Sequence, residues 1–190
     1  MTTVSIIGNG NMGQAIGALA AAGGNSVEVI GRDTAQAPTG ELVVLAVPYP
    51  ALAEIAAARA AQLAGKVVVE LSNPLDFTTF DSLVVDADSS AAAELQTALP
   101  ESTVLKAFNT NFAATLAAKT VGGLPTTVLI AGDDQAAKDL LAGVVRAGGL
   151  NATDAGALAR ARELESVGFL QLVLAIREQV GWTGGFAVAA

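Results

Sequence analysis

Residues 8–13 read Gly8-Asn9-Gly10-Asn11-Met12-Gly13, between the apolar run Val4-Ser5-Ile6-Ile7 and an Ala-rich stretch over 15–22. Glycines at this spacing suit a turn that grips the pyrophosphate of a dinucleotide. Gly8 permits the tight exit from a strand, Gly10 lets backbone approach phosphate, and Gly13 lets the following helix pack close to the strand. That helix then points its unpaired N–H groups and positive dipole end at the anion. Glycine spacing alone is weak evidence. A β-branched strand before it and a helix after it, within one βαβ-sized unit, make it specific.

The tip of the second apolar run decides which nucleotide. In NAD-binding versions an acidic residue about 20 positions after the motif takes the ribose 2′-OH. Here Val27-Glu28-Val29-Ile30 leads to Gly31-Arg32-Asp33-Thr34. Glu28 falls inside the strand, too early to reach a ribose. Arg32 at the tip suits a 2′-phosphate, which a guanidinium binds through forked, charge-assisted hydrogen bonds. The residues therefore point to NADP(H), while Asp33 could instead turn inward and serve an NAD ribose.

The elements that position these groups alternate. Apolar runs at 4–7, 27–30, 42–47, 67–71, 103–107 and 126–131 read as buried strands. Helical stretches at 12–22, 50–62 and 91–99, and one reaching 147 behind an Asp133 or Asp134 cap, lie between them, with Glu54 and Arg59 expected to face outward. Such alternation predicts an α/β fold: a doubly wound parallel sheet with right-handed crossovers. Residues 76–90 read as a long surface loop. The stretch 157–180 reads as one helix with two apolar stripes, one of Leu164, Val167, Leu170, Val173 and Leu174, the other of Phe169, Leu172 and Ile176. Two apolar faces suggest burial between the sheet and a second subunit, hence a homodimer. The expected division is a dinucleotide-binding domain over 1–150 and a C-terminal helical extension over 151–190, packed on the sheet and on the dimer partner.

In an open parallel sheet, ligands bind beyond the carboxyl ends of the strands. Besides the glycine turn and Gly31-Arg32, those ends carry Ala46-Val47-Pro48-Tyr49, Ser72-Asn73-Pro74 and Phe108-Asn109-Thr110-Asn111. Small apolar groups with one amide suit a nicotinamide, and the amides of the last segment suit a second ligand. Turn chemistry accounts equally well for Asn73 and Asn109, and better for Thr110 and Asn111.

Composition narrows the chemistry. The 190 residues contain no His and no Cys. That excludes a His-based triad, a thiolate nucleophile, disulfides and the usual zinc ligands. A net charge of −8 with only 10 Lys and Arg argues against nucleic acid or an anionic membrane as partner. No run reaches the ~18 apolar residues of a membrane span. The N-terminus has no basic leader, so a cytoplasmic protein is expected. Hydride transfer to a conjugated ring needs no side-chain acid, only two rings held at reacting distance in a dry site. Ketone reduction would need a proton donor, for which Tyr49 and Lys106 are the candidates.

These motifs stand in order with Lys106-Ala107-Phe108-Asn109-Thr110, Ile130-Ala131-Gly132-Asp133-Asp134, Asp154-Ala155-Gly156 and Ala159-Arg160-Ala161-Arg162-Glu163-Leu164-Glu165. The combination resembles the coenzyme F420:NADP oxidoreductase family over nearly the whole chain. The relatives of that family include pyrroline-carboxylate reductases and the cytosolic domains of ferric reductases. The resemblance implies a Rossmann domain with a small C-terminal helical part, commonly dimeric. It implies hydride transfer between NADPH and a deazaflavin (F420) or a flavin. By position, Asn9, Gly10, Asn11 and Met12 would bind pyrophosphate, and Gly31 with Arg32 the 2′-phosphate. Pro48 and Pro74 would flank the nicotinamide, with Ala46, Val47 and Asn73 of the same strand ends beside them. Asn109 would sit near the second ring. Family members tend to have a Ser before the Arg and a basic residue a few positions later, where this chain has Gly31 and Gln36. Two other readings fit the residues: a reductase of a small imine or carbonyl substrate, and a non-catalytic NADP(H)-binding sensor.

Overall fold

Every residue of the strand Leu42–Leu45 is buried, its side chains alternating between two separate cores. Only a sheet covered by helices on both faces does this to a strand. The computed structural model describes residues 1–31 and 35–189. In chain order its strands are β1 (Thr3–Ile7), β2 (Ser26–Ile30), β3 (Leu42–Leu45), β4 (Val67–Glu70), β5 (Thr103–Ala107), β6 (Thr120–Val121), β7 (Leu124–Pro125), β8 (Thr127–Ala131) and β9 (Asn151–Gly156). The helices are α1 (Asn11–Ala22), α2 (Leu52–Leu63), α3 (Ala91–Ala98), α4 (Ala113–Ala118), α5 (Gln135–Ala147) and α6 (Ala161–Ile176).

Seven strands form the main sheet in the order β2-β1-β3-β4-β5-β8-β9. Residues of α1, α4 and α5, such as Ile16, Leu116 and Leu141, fill the core on one face. Leu52, Ala56 and Leu63 of α2, Leu95 of α3 and Ala161 of α6 fill the other. The sheet is the expected doubly wound α/β arrangement with one departure. β5 and β8 pair antiparallel, Lys106 opposite Ala131, because the chain between them turns through α4 and the β6–β7 hairpin and re-enters from the other end.

The segment expected to begin the helical extension starts as a strand: β9 pairs parallel with β8 at the sheet edge. Its residues Asn151-Ala152-Thr153-Asp154 have little apolar character because no residue of the strand is fully buried. The long C-terminal helix is shorter than the expected 157–180, opening with a 3-10 turn at Leu158–Arg160 and ending at Ile176. Its buried face is Ala161, Leu164, Glu165, Gly168, Gln171 and Ala175, so of the two apolar stripes only Leu164 is fully buried. Leu170 and Ile176 are half exposed, at 50% and 42%. Asp134 caps α5 by accepting the Ala137 N–H at 2.8 Å, while Asp133 takes the Leu158 N–H.

Candidate functional site

The glycine turn leaves β1 between its two neighbours. The Gly8 N–H donates to the Ile30 carbonyl of β2, and the Ala46 N–H after β3 donates to the Ile7 carbonyl at 2.8 Å. Gly8 has φ of +113°, a conformation open to glycine and strained for other residues, and a Cβ there would run into the Ala46 carbonyl. Gly13 is buried, and a Cβ on it would collide with the Gly8 carbonyl, so α1 sits as close to the strand as the sequence implied. Gly10 precedes α1 with extended backbone, and no side chain caps the helix. No acidic residue occupies the first turn, and the space where a Gly10 Cβ would lie is open. The first N–H groups of α1 therefore face an open cradle fit for phosphate.

Two cavities meet at this turn. The first, about 630 Å³, is lined by Gly8, Asn9, Gly10, Gly31, Ala46, Val47 and Pro48. Its far wall is α2, through Ala51, Glu54, Ile55, Ala58 and Arg59. The second, about 390 Å³, is lined by Asn11, Met12, Leu71, Asn73, Phe108, Asn109 and Asn111, and is closed by Phe112, Ala113, Ala114, Leu172 and Trp182. Of the expected site residues, eleven described ones thus line one cavity or the other, and the glycine turn is divided between the two at Gly10 and Asn11. Arg32 lies outside the described residues. Pro74 is buried and lines neither cavity; its carbonyl accepts the Val84 N–H.

Arg59 corrects an expectation. It faces inward, 2% exposed, and its Nη1 donates to the Gln36 carbonyl at 2.8 Å and to Gln62 Oε1 at 2.9 Å. It thereby fastens the segment that follows β2. Glu28 holds the other end of that segment, accepting from Ser5 Oγ, from the Thr39 N–H at 2.6 Å and from Thr39 Oγ1 at 2.9 Å. Burial pushes the Glu28 carboxyl up, but the bonds from Ser5, Thr39 and Gly40 outweigh it and hold it below its ordinary value. Glu28 is thus committed to the loop, as its place inside the strand implied.

The second cavity rests on an amide pair. Asn73 Nδ2 donates to the Asn109 carbonyl at 2.9 Å, and Asn109 Nδ2 donates back to Asn73 Oδ1 at 2.9 Å and to the Leu164 carbonyl of α6 at 2.8 Å. Asn109 Oδ1 and Asn111 Oδ1 are buried without a partner among the described residues. Asn111 Nδ2 meets the Thr127 carbonyl, and the Thr110 carbonyl accepts from Gln171. Phe108 delivers Asn109 into place: it is 1% exposed with φ of +64°, a left-handed kink at the end of β5.

Neither candidate proton donor reaches these cavities. Lys106 is fully buried, with Nζ 2.5 Å from Glu70 Oε2, 2.7 Å from Glu165 Oε1 and 2.5 Å from the Ser72 carbonyl. Tyr49 lines a separate, smaller cavity with Glu94 and donates to Glu94 Oε2 at 2.7 Å. Burial first, then the bond and charge of Glu94, push its hydroxyl up to about 12. Sequence reasoning missed Arg59, the α2 wall, Phe112, Leu172 and Trp182 as lining residues, while Phe108 was read only as part of the strand-end segment. Leu172 was read only as part of a helix stripe.

No family model matches the chain. Metalloreductase STEAP3 of Rattus norvegicus is 39% identical over 106 residues, which is 56% of this chain but only 20% of that protein's length. F420-dependent NADP reductase of Methanocaldococcus jannaschii is 28% identical over 166 residues, covering 85% of this chain and 74% of that one. The crystal structure of a candidate F420-dependent NADP reductase from Arthrobacter sp. FB24 superposes with a TM-score of 0.86 at 25% identity, each chain covered over 100% of its length. Full-length agreement in fold makes the chain a Rossmann-type reductase in architecture, similar in sequence and structure to F420-dependent NADP reductases.

Proposed function

We propose that this protein is an NADP(H)-dependent oxidoreductase that passes hydride between NADPH and a deazaflavin such as F420, or a flavin. The observation that carries the reading is the pair of cavities sharing one turn, with Asn9 and Gly10 in the first and Asn11 and Met12 in the second. A dinucleotide whose pyrophosphate sits on the turn can lay its adenosine half in one cavity and present its other end toward the next.

When bound, the reduced nicotinamide would supply a hydride, that is, one hydrogen with both electrons. The chain binds, orients and keeps water out. Gly10, Asn11 and Met12 offer N–H groups to the pyrophosphate, Gly31 and Arg32 take the 2′-phosphate, and Ala46, Val47 and Pro48 shape the wall beside them. Asn73 and Asn109 fix the floor of the acceptor cavity. No ionisable side chain lines that cavity among the described residues. A conjugated ring that accepts hydride spreads the added charge and takes its proton from solvent, so it needs none. A small imine or carbonyl substrate would need a donor, and Tyr49 stands elsewhere.

The test is NADPH oxidation at 340 nm against F420, FMN, FAD and riboflavin, with NADH run in parallel. Turnover with F420 or a flavin, faster with NADPH than NADH, is expected. Binding of NADPH without turnover on any ring would overturn the reading in favour of a nucleotide sensor.

Two finer features belong to the same proposal. A second copy packs on α6 where Leu170, half exposed, is flanked by the partly buried Val167, Val173 and Leu174. Light scattering on a sizing column should give a dimer that Leu170→Glu converts to a monomer. No helix among the described residues is long and apolar enough to cross a membrane, and a cytoplasmic setting, where NADPH is supplied, suits the reaction.

A further inference from the structure

We propose that Trp182, backed by Phe112, is the stacking wall that positions the acceptor in the second cavity. The cavity takes an uncharged planar fused ring and leaves any charged tail outside. This rests on the reading of that cavity as the acceptor's.

Trp182 is the only tryptophan of the chain. Its ring centroid lies 5.1 Å from that of Phe112 at an interplanar angle of 56°, and both rings line the cavity. Yet 54% of Trp182 is exposed. A large aromatic packed on one side and open on the other offers a free face to a ligand. The residue is not on a loose end. The Gly184 N–H closes a turn on the Gly181 carbonyl at 2.8 Å. Beyond it, the Phe186 N–H donates to Gln171 Oε1 at 2.9 Å, while Gln171 Nε2 donates to the Thr110 carbonyl at 3.2 Å. Gln171 is 2% exposed, so the segment carrying Trp182 is fastened at α6 and again through Gln171 to the end of β5.

The rest of the lining fits the same ligand. Its described residues are Asn, Met, Leu, Phe, Ala and Trp, with no charge to hold a phosphate or carboxylate. The orphaned Asn109 Oδ1 and Asn111 Oδ1 are acceptors in want of a donor. Flavins and deazaflavins both present a flat three-ring system to the ring face of Trp182 and carry an imide N–H on its edge, which suits a floor built of Asn73, Asn109 and Asn111.

The experiment reads binding without turnover. Oxidised riboflavin, FMN and F420, followed by their own fluorescence anisotropy, are titrated into wild type and into Trp182→Ala, Trp182→Leu and Trp182→Phe with NADP+ present, and NADP+ affinity is measured by calorimetry. We expect Ala and Leu to weaken ring binding about tenfold, Phe to recover most of it, and NADP+ binding to stay constant. Riboflavin should bind at least as tightly as FMN. Unchanged ring affinity in Trp182→Leu would overturn the wall while leaving the proposed function standing. So would equal loss of ring and NADP+ that Phe does not restore. FMN binding much more tightly than riboflavin would overturn the exclusion of charge. A wild type that binds NADP+ but none of the three rings would overturn both readings.

Discussion

Lys106 Nζ stands 2.7 Å from Glu165 Oε1 with both side chains fully buried, so β5 and α6 are joined by an ion pair directly behind the amides of the acceptor cavity. Glu165 also accepts the Ala91 N–H at the start of α3, and Glu70 shares the same ammonium from β4. Two carboxyl groups share one ammonium, and all three side chains are fully buried. Such a cluster makes a weak net contribution to stability when intact and a large loss when one partner is removed. Lys106→Ala should therefore lower stability by about 3–5 kcal/mol.

Burial raises the Glu165 carboxyl above its ordinary value, opposed by Lys106 and reinforced by Glu70. A raised carboxyl binds its proton more tightly in the folded state than in the unfolded one. Its favourable contribution is complete below the unfolded value and fades as pH rises through the folded value. Glu165→Gln lacks this dependence. The stability of wild type relative to Glu165→Gln should fall as pH rises from about 4.5 toward neutrality. Urea unfolding of both proteins across pH checks it, and a difference that grows with pH in favour of wild type would contradict it.

Gly168 lets α6 approach the amide pair. A Cβ there would collide with Asn73 Oδ1 and come within 2.8 Å of its Cγ. Gly168→Ala should push Asn73 off Asn109 and cost about 1–3 kcal/mol, the scale of overpacking. Turnover on the acceptor should drop while NADP+ affinity holds, which thermal unfolding and separate Kd and kcat measurements would reveal.

Arg32 and Arg59 should behave differently. Arg32→Ala is expected to lose about 1.5–3 kcal/mol of NADP+ binding, the scale of a hydrogen bond to a charged group, with NAD+ binding nearly unchanged. Arg59 lines the first cavity and fastens Gln36. Arg59→Ala should weaken NADP+ and NAD+ alike and lower the melting temperature. Calorimetry with both nucleotides on both variants separates the two roles.

Tyr49 is held protonated at Glu94, away from both cavities. Tyr49→Phe should leave the rate within about twofold, because the lost bond is exposed and worth on the order of 1 kcal/mol. A loss of activity with unchanged ligand affinity would restore the imine or carbonyl reading.

What the sequence made legible was local. The glycine turn, the strand ends and the Asp134 cap are set by neighbours within a few residues, and the structure places them where spacing implied. The buried face of α6 was not legible. Periodicity selects the large apolar side chains, yet this helix turns Glu165, Gly168 and Gln171 inward, because its partners are Lys106, Asn73 and Thr110. Those partners lie on strand ends far away in the chain, and no local period reports them. Arg59 was misjudged likewise: a charge on an Ala-rich helix reads as solvated until its target, the Gln36 carbonyl, is known. β9 escaped notice because an edge strand can be polar.

The nucleotide cavity draws on the chain before residue 60, whereas the acceptor cavity is closed by Leu172 and Trp182. On the proposed assignment, the outer wall of the acceptor cavity thus comes from the far end of the polypeptide, while the turn that grips the nucleotide comes from its beginning. A lineage built on this scaffold can keep its reductant while the far end drifts, so exchanging only the carboxyl-terminal segment between relatives is a route to reassigning what the electrons reach.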